Sequence, residues 1–257
     1  MSARRLTARL VGLTEQHPYT AAVRAHAGFE LTNSDDADVV VLAVPLADRP
    51  AAVEQTVKAG KHTVVHGVLA EDPDQAAELA ALAQNQGTVC LPDYHVRFQP
   101  AVRAARAAVA AGRVGLPWNV QGDLISSDTA AKPASLAVHA IDTVRALTGL
   151  PVRTVRRTDA GSVLLLLLTH DHGVTSTLAV GHAPGAATHR YRISGSHGML
   201  DVDASKPAWA GGASMAGLLT ELHTAVVTDR PAELSLDDAV AAQRVLTDVR
   251  TAEGSTA

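Results

Sequence analysis

A chain of 257 residues, 47% hydrophobic and 19% charged, carries enough apolar side chain to bury one large core or two modest ones. Its net charge of -4 provides no basic field for a polyanion, which argues against nucleic acid as a partner. The single cysteine, Cys90, rules out an internal disulfide. The start "MSARRLTARLVGL" lacks a long apolar stretch and cleavage site, and the apolar run at 163–168 is too short to span a bilayer, so a cytoplasmic protein without membrane contact is expected.

The first half alternates between two periods. "ARLVGL" (8–13), "DADVVVLAVP" (36–45), "HTVVHGV" (62–68) and "TVCLPDY" (88–94) are apolar runs of strand length. Between them lie helix-compatible stretches, "YTAAVRAHAGF", "RPAAVEQTVKAG" and "DPDQAAELAALAQNQG", the last with Asp72 as N-cap and Pro73 at its first position. Continuous apolar strands separated by helices predict a parallel sheet covered on both faces, with ligands held at the carboxyl ends of the strands. After "GRVGLPWNV" a helix over roughly 133–148 precedes longer segments punctuated by Asp171-His172-Gly173 and Ser196-His197-Gly198, which are hairpin signals. "SLDDAVAAQRVLTDVRTAEG" (235–254) supplies a closing helix, with Ser235 and Asp238 in capping-box spacing. The expectation is an α/β chain: a truncated Rossmann-like parallel sheet over 1–115, then an α+β domain with an open antiparallel sheet over 116–257.

The ordered succession "DADVVVLAVP", "AGKHTVVHGVLAEDPDQAAELAALAQNQG", "VRFQPAVRAARAAVAAGRVG", "HAIDTVRALTGLPVRTV" and "RISGSHGMLDVD" resembles the Gfo/Idh/MocA family of nicotinamide-dependent sugar and polyol oxidoreductases. The resemblance implies a dinucleotide-binding domain followed by an open sheet that often mediates dimers. It also exposes four departures. Where the family ends a strand with Glu-Lys-Pro, this chain has His66-Gly67-Val68, so the lysine that polarises the substrate oxygen is replaced by glycine. The Gly-x-Gly-x-x-Gly turn is missing from "RRLTARLVGLTEQHPYTAAVRAHAGFEL", which looks like the fold's second strand and helix, with Glu15 as the ribose-binding carboxylate. The chain would then start one strand late. The histidine that usually follows the "LAVP" proline is Arg49. The family's Asp-x-Gly-x-His becomes Ser135-Leu136-Ala137-Val138-His139.

Helical spacing places Ser135, His139 and Asp142 on one stripe, and an imidazole can move a proton without a cofactor. These three are the candidate catalytic residues. Tyr94 and His95, at the end of the fourth strand, are candidates for contacting substrate, as are His66 and Lys132; Arg97 is expected to anchor the strand to the following helix. His170 and His172 have metal-ligand spacing but no third ligand, so neither a metal nor a nicotinamide cofactor is expected. The leading functional expectation is a cofactor-independent acid–base enzyme of isomerase, lyase or cyclase type acting on a small polar organic substrate. A non-catalytic subunit assembled through the sheet and an atypical NAD(P)-dependent oxidoreductase are the alternatives. Long apolar strands such as "VLLLLL" predict a homodimer or higher oligomer, with itself or with an intact homologue.

Overall fold

The β-branched run "VVVL" forms β3 (Val39–Leu42), buried at all its positions, as a strand covered on both faces must be. It lies in a five-stranded sheet with β1 (Leu6–Val11), β2 (Phe29–Leu31), β4 (His62–Val65) and β5 (Cys90–Pro92), in the order β2-β1-β3-β4-β5, every pairing parallel. The connecting helices are α1 (Pro18–Ala25), α2 (Arg49–Lys58) and α3 (Pro73–Asn85). Each carries proline at its first or second position, where a missing N–H leaves no bond unmade. Asp72 caps α3 through the Asp74 N–H, at 2.9 Å. The computed structural model describes residues 4–128, 133–185, 187–205 and 213–251.

The topology corrects one expectation. β1 pairs with β2 on one side and β3 on the other, and the strand order reverses there. It therefore holds the place of the first strand of a doubly wound sheet, not the second. What is short is the link from β2 to β3, which passes from one side of β1 to the other through residues 32–38 without a helix. Asp38 closes that link: its Oδ2 accepts from Thr7 N at 2.8 Å and Thr7 Oγ1 at 2.9 Å, and its own N–H donates to Thr7 Oγ1 at 2.9 Å. Burial works against ionisation of Asp38, but the bonds from Thr7 and the charge of Arg4 hold its carboxyl below the usual range.

The chain divides into two units: residues 1–95 with 210–240, and residues 96–209 with 241–257. In the second, β6 (Pro117–Ser126), β7 (Val152–Ala160), β8 (Val163–His170), β9 (Thr175–His182), β10 (Thr188–Gly195) and β11 (Gly198–Asp203) form a sheet ordered β11-β10-β6-β9-β8-β7. Four of its pairings are antiparallel, as the hairpin signals require, but β6 and β9 are parallel, so the sheet is mixed. Helix α5 (Pro133–Thr148), in the crossover from β6 to the later strands, packs on β6, β8 and β9. Along β8 burial alternates: Leu164, Leu166 and Leu168 are buried while Leu165 and Leu167 face outward.

Helix α4 (Pro100–Ala110) packs on α5 and β11. That moves the division between units from the expected position near 115 to the residues after His95. The tail is also shared. Helix α6 (Ala213–Thr228) packs on α1, and α7 (Leu236–Thr251) starts in the first unit, where Leu236 and Val240 join the core around Val40, Val53 and Leu69. Ser235 Oγ accepts the Asp238 N–H at 3.0 Å, the cap expected from their spacing. Among the described residues no helix is long and apolar enough to cross a membrane.

Candidate functional site

The carboxyl ends of β4 and β5 and the start of α1 place four rings around one carboxylate. Asp93, directly after β5, is buried. Its Oδ2 takes the His66 Nδ1–H at 2.7 Å, and its Oδ1 takes the His95 Nδ1–H at 2.6 Å together with the buried Tyr19 hydroxyl. His17 completes the group, with its ring edge-on to His66 at a centroid distance of 5.4 Å and stacked on Tyr19 at 6.0 Å.

Burial alone would drive the Asp93 carboxyl up, but the charge of His95 and the hydrogen bonds from both imidazoles hold it far below the usual range. Burial likewise works against the His95 imidazolium, and the neighbouring carboxylate more than reverses it, so this histidine holds its proton above the normal pH. Burial, then Asp93, keep the Tyr19 hydroxyl protonated well beyond its usual range. His17 is shifted the other way, by burial and then by His66. With Nδ1 of His66 donating to Asp93, the lone pair of the neutral ring lies on Nε2, and 46% of this side chain is exposed. A carboxylate behind one imidazole nitrogen and an accessible basic nitrogen at the other is the arrangement of a general acid–base.

The turn after β4 accounts for the glycine at 67. Its φ is +86°, and a Cβ there would lie 3.1 Å from Arg49 Nη1. Arg49 Nη1 donates to the Val68 carbonyl at 2.7 Å and Nη2 to the Val44 carbonyl at 3.0 Å. The guanidinium thus packs where a side chain at position 67 would begin.

Of the residues expected from sequence, His66 and His95 meet on Asp93. Tyr94 instead turns into the core, buried, with its hydroxyl 3.4 Å from the Ala239 carbonyl, because the chain alternates direction as it leaves the strand. On α5, Ser135 is exposed and His139 partly buried, with its carbonyl accepting the Thr143 hydroxyl at 2.7 Å. Asp142 is buried in a two-pronged ion pair: Arg97 Nε donates to Oδ2 at 3.0 Å and Nη2 to Oδ1. That partner was not apparent from the helical stripe, and it ties Arg97 to α5 and not, as expected, to the helix that directly follows it. Lys132 lies outside the described residues. The His170 ring is 2.8 Å from Ser176 Oγ and 3.3 Å from the Leu150 carbonyl, while His172 has a φ of 60° in the following turn. Asp93 and Tyr19 escaped the sequence reading, although "PDYH" at a strand end and "HPYT" at a helix start were available as signals.

A nicotinamide dinucleotide, which the family resemblance implies, places its pyrophosphate against the turn after the first strand. That turn keeps its first glycine: Gly12 has φ +77°, and a Cβ would lie 2.4 Å from the Ala43 carbonyl oxygen. The other two glycine positions of the motif are Thr14 and His17. The amides there bond within the chain: Tyr19 N–H to His17 Nδ1 at 3.2 Å, His17 N–H to the Thr14 carbonyl at 3.1 Å, and Thr20 N–H to the His17 carbonyl at 2.9 Å. Thr14 and His17 thus put side chains where that motif has glycines. Glu15 is not at the ribose position: it lies in this first turn and pairs with Arg24 at 2.6 Å. Beside the turn, a cleft of about 520 Å³ is lined by Leu13, Thr14, Glu15, Arg24, Thr32 and Asn33, among others.

No family model matches the sequence. The chain is 27% identical over 199 residues to 1,5-anhydro-D-fructose reductase of Ensifer adhaerens, an alignment covering 77% of this chain and 54% of the reductase. The chain thus spans about half the length of that curated relative. GenD2 from gentamicin A biosynthesis, solved in complex with NAD, superposes with a TM-score of 0.88 at 17% identity, over 98% of this chain and 95% of that one. Apo scyllo-inositol dehydrogenase from Lactobacillus casei gives 0.86 at 14% identity, over 98% and 97%. Aldose-aldose oxidoreductase from Caulobacter crescentus, complexed with glycerol, gives 0.83 at 16%, over 97% of each chain. At these identities the structural likeness establishes the fold.

Proposed function

We propose that this chain, Gfo/Idh/MocA-like in fold and similar to a sugar reductase, works as an acid–base enzyme on a small molecule of the sugar or polyol class. The observation that carries this reading is the Asp93 carboxylate clamped between His66 and His95, with His66 half-exposed at the carboxyl end of β4. In the proposed reaction, Nε2 of His66 removes the proton from a carbon next to a substrate carbonyl. The electron pair moves onto the carbonyl oxygen as an enolate, and a proton returns to the same carbon as the carbonyl re-forms. Asp93 stabilises the imidazolium in between, while buried, protonated Tyr19 and His95 keep the carboxylate in place. No external oxidant or reductant is needed.

The test is proton exchange. A panel of aldoses, ketoses and inososes is incubated with the protein in D2O, and deuterium at the carbon next to the carbonyl is followed by NMR. His66→Ala is expected to lower the rate by about 10²- to 10⁴-fold. His139→Ala, measured alongside, decides whether the imidazole on α5 shares the work. Exchange that survives His66→Ala unchanged rejects the assignment.

The second reading, an atypical NAD(P)-dependent oxidoreductase, is favoured by the 520 Å³ cleft beside β1 and β2. Calorimetric titration separates the two: micromolar or tighter NAD or NADP affinity supports the second reading. We also propose that a second copy covers the outer face of the six-stranded sheet, where Leu165 and Leu167 are 45% and 39% exposed.

A further inference from the structure

Arg49 carries a charge that nothing nearby neutralises. Its two bonds go to main-chain carbonyls, it pairs with no carboxylate among the described residues, and its Nε is buried without an acceptor. Elsewhere the guanidinium groups drawn into the structure have acids: Arg97 has Asp142, and Arg157 has Asp159. A partly buried cation without a counter-ion is costly unless a ligand supplies one. Consistently, burial lowers the tendency of Arg49 to hold its proton.

Position argues the same way. The two carbonyls fix the plane of the guanidinium, so its fork is organised before any ligand arrives. Gly67, against which it lies, directly follows His66, and residues 66–68, Val44 and Arg49 itself are all partly exposed to solvent. A larger residue at 67 would crowd Nη1, at 3.1 Å.

We propose that Arg49 is the anion-binding residue of this site, holding the carboxylate or phosphate of an acidic sugar-class substrate beside His66. The proposal rests on the acid–base reading for the neighbouring imidazole, but its test reads binding without turnover, so the two can fail separately. Inorganic phosphate, D-glucuronate and neutral D-glucose are titrated against the whole protein by calorimetry at constant ionic strength. The wild type is expected to bind at least one of the two anions ten times more tightly than glucose or better. Phosphate alone, or glucuronate alone, identifies which anion the fork accepts, and either result supports the proposal.

Arg49→Gln is expected to weaken that binding tenfold or more. Lys58→Gln, an exposed cation on the same helix, should leave it unchanged. Because Arg49 also ties two turns together, circular dichroism is recorded for each variant. If Arg49→Gln does not fold, Arg49→Lys, which keeps the charge and loses the fork, should still bind several-fold more weakly than the wild type. Equal affinity in the Arg49 variant, or glucose bound as tightly as the tighter of the two anions, overturns the proposal, as does the absence of anion binding to the wild type.

Discussion

Asp93 is ionised where burial alone would keep it neutral, and that makes its contribution to stability depend on pH in two directions. Its folded pKa is depressed, so its contribution is present above the unfolded value of about 3.9 and is lost as pH falls toward the folded one. His95 has a raised pKa, so its share is complete below about 6.5 and is lost as pH rises through the folded value. The difference in urea stability between wild type and Asp93→Asn should therefore peak between about pH 5 and 6.5, at about 3–5 kcal/mol for a buried pair losing one partner, and shrink on both sides. A flat difference across pH 4–8 would reject the ionised arrangement. Cys90 gives a second prediction at this scale: burial pushes its thiol up to about 12, so a disulfide reagent at pH 8 should react only after unfolding. His66 and His95 were legible in sequence because they stand at strand ends, whereas His17, at the start of α1, was not. Asp93 was not, because its partners Tyr19 and His66 lie 74 and 27 residues away, and no local period records such a pairing.

At the scale of elements, the apolar runs announced β1, β3, β4 and β5, but β2 has three residues, too few to show any alternation. The order of strands was beyond reach too, since pairing is decided by register and crossover rather than by composition. This is why β1 was misplaced, although "LVGL" already contained the glycine that its turn requires. Gly12→Ala should be strongly destabilising: the left-handed conformation costs about 1–3 kcal/mol, and the Ala43 carbonyl stands 2.4 Å from the added carbon. Thermal unfolding within a degree or two of wild type would show that the β1–α1 turn relaxes freely. Within the second unit, Asp142→Ala leaves the Arg97 charge buried, and a loss of about 3–5 kcal/mol is expected, whereas Arg97→Met with Asp142→Leu should recover most of it. Chemical denaturation of the single and double variants checks this, and an equal loss in both would mean that packing, not charge, governs the site.

For the whole molecule, the alternation along β8 leaves two leucines on the outer face of the mixed sheet. Beside them is a depression of about 610 Å³ whose lining includes Gln121, Asp123, Arg156 and Thr158. If a second copy covers this face, Leu165→Glu with Leu167→Glu should convert a dimer to a monomer in light scattering without lowering the helix signal in circular dichroism; a wild-type monomer at micromolar concentration rejects the idea. The division into units has a further consequence, for synthesis. The first unit is completed only by residues 210–240, which supply α6 against α1 and the Leu236 and Val240 side chains of its core. A ribosome that has finished residue 95 must add 240 − 95 = 145 more, roughly 7–30 s of elongation, before those pieces exist. During that interval the nascent parallel sheet lacks part of its cover, and the growing chain exposes apolar surface that invites holding factors or neighbouring nascent chains.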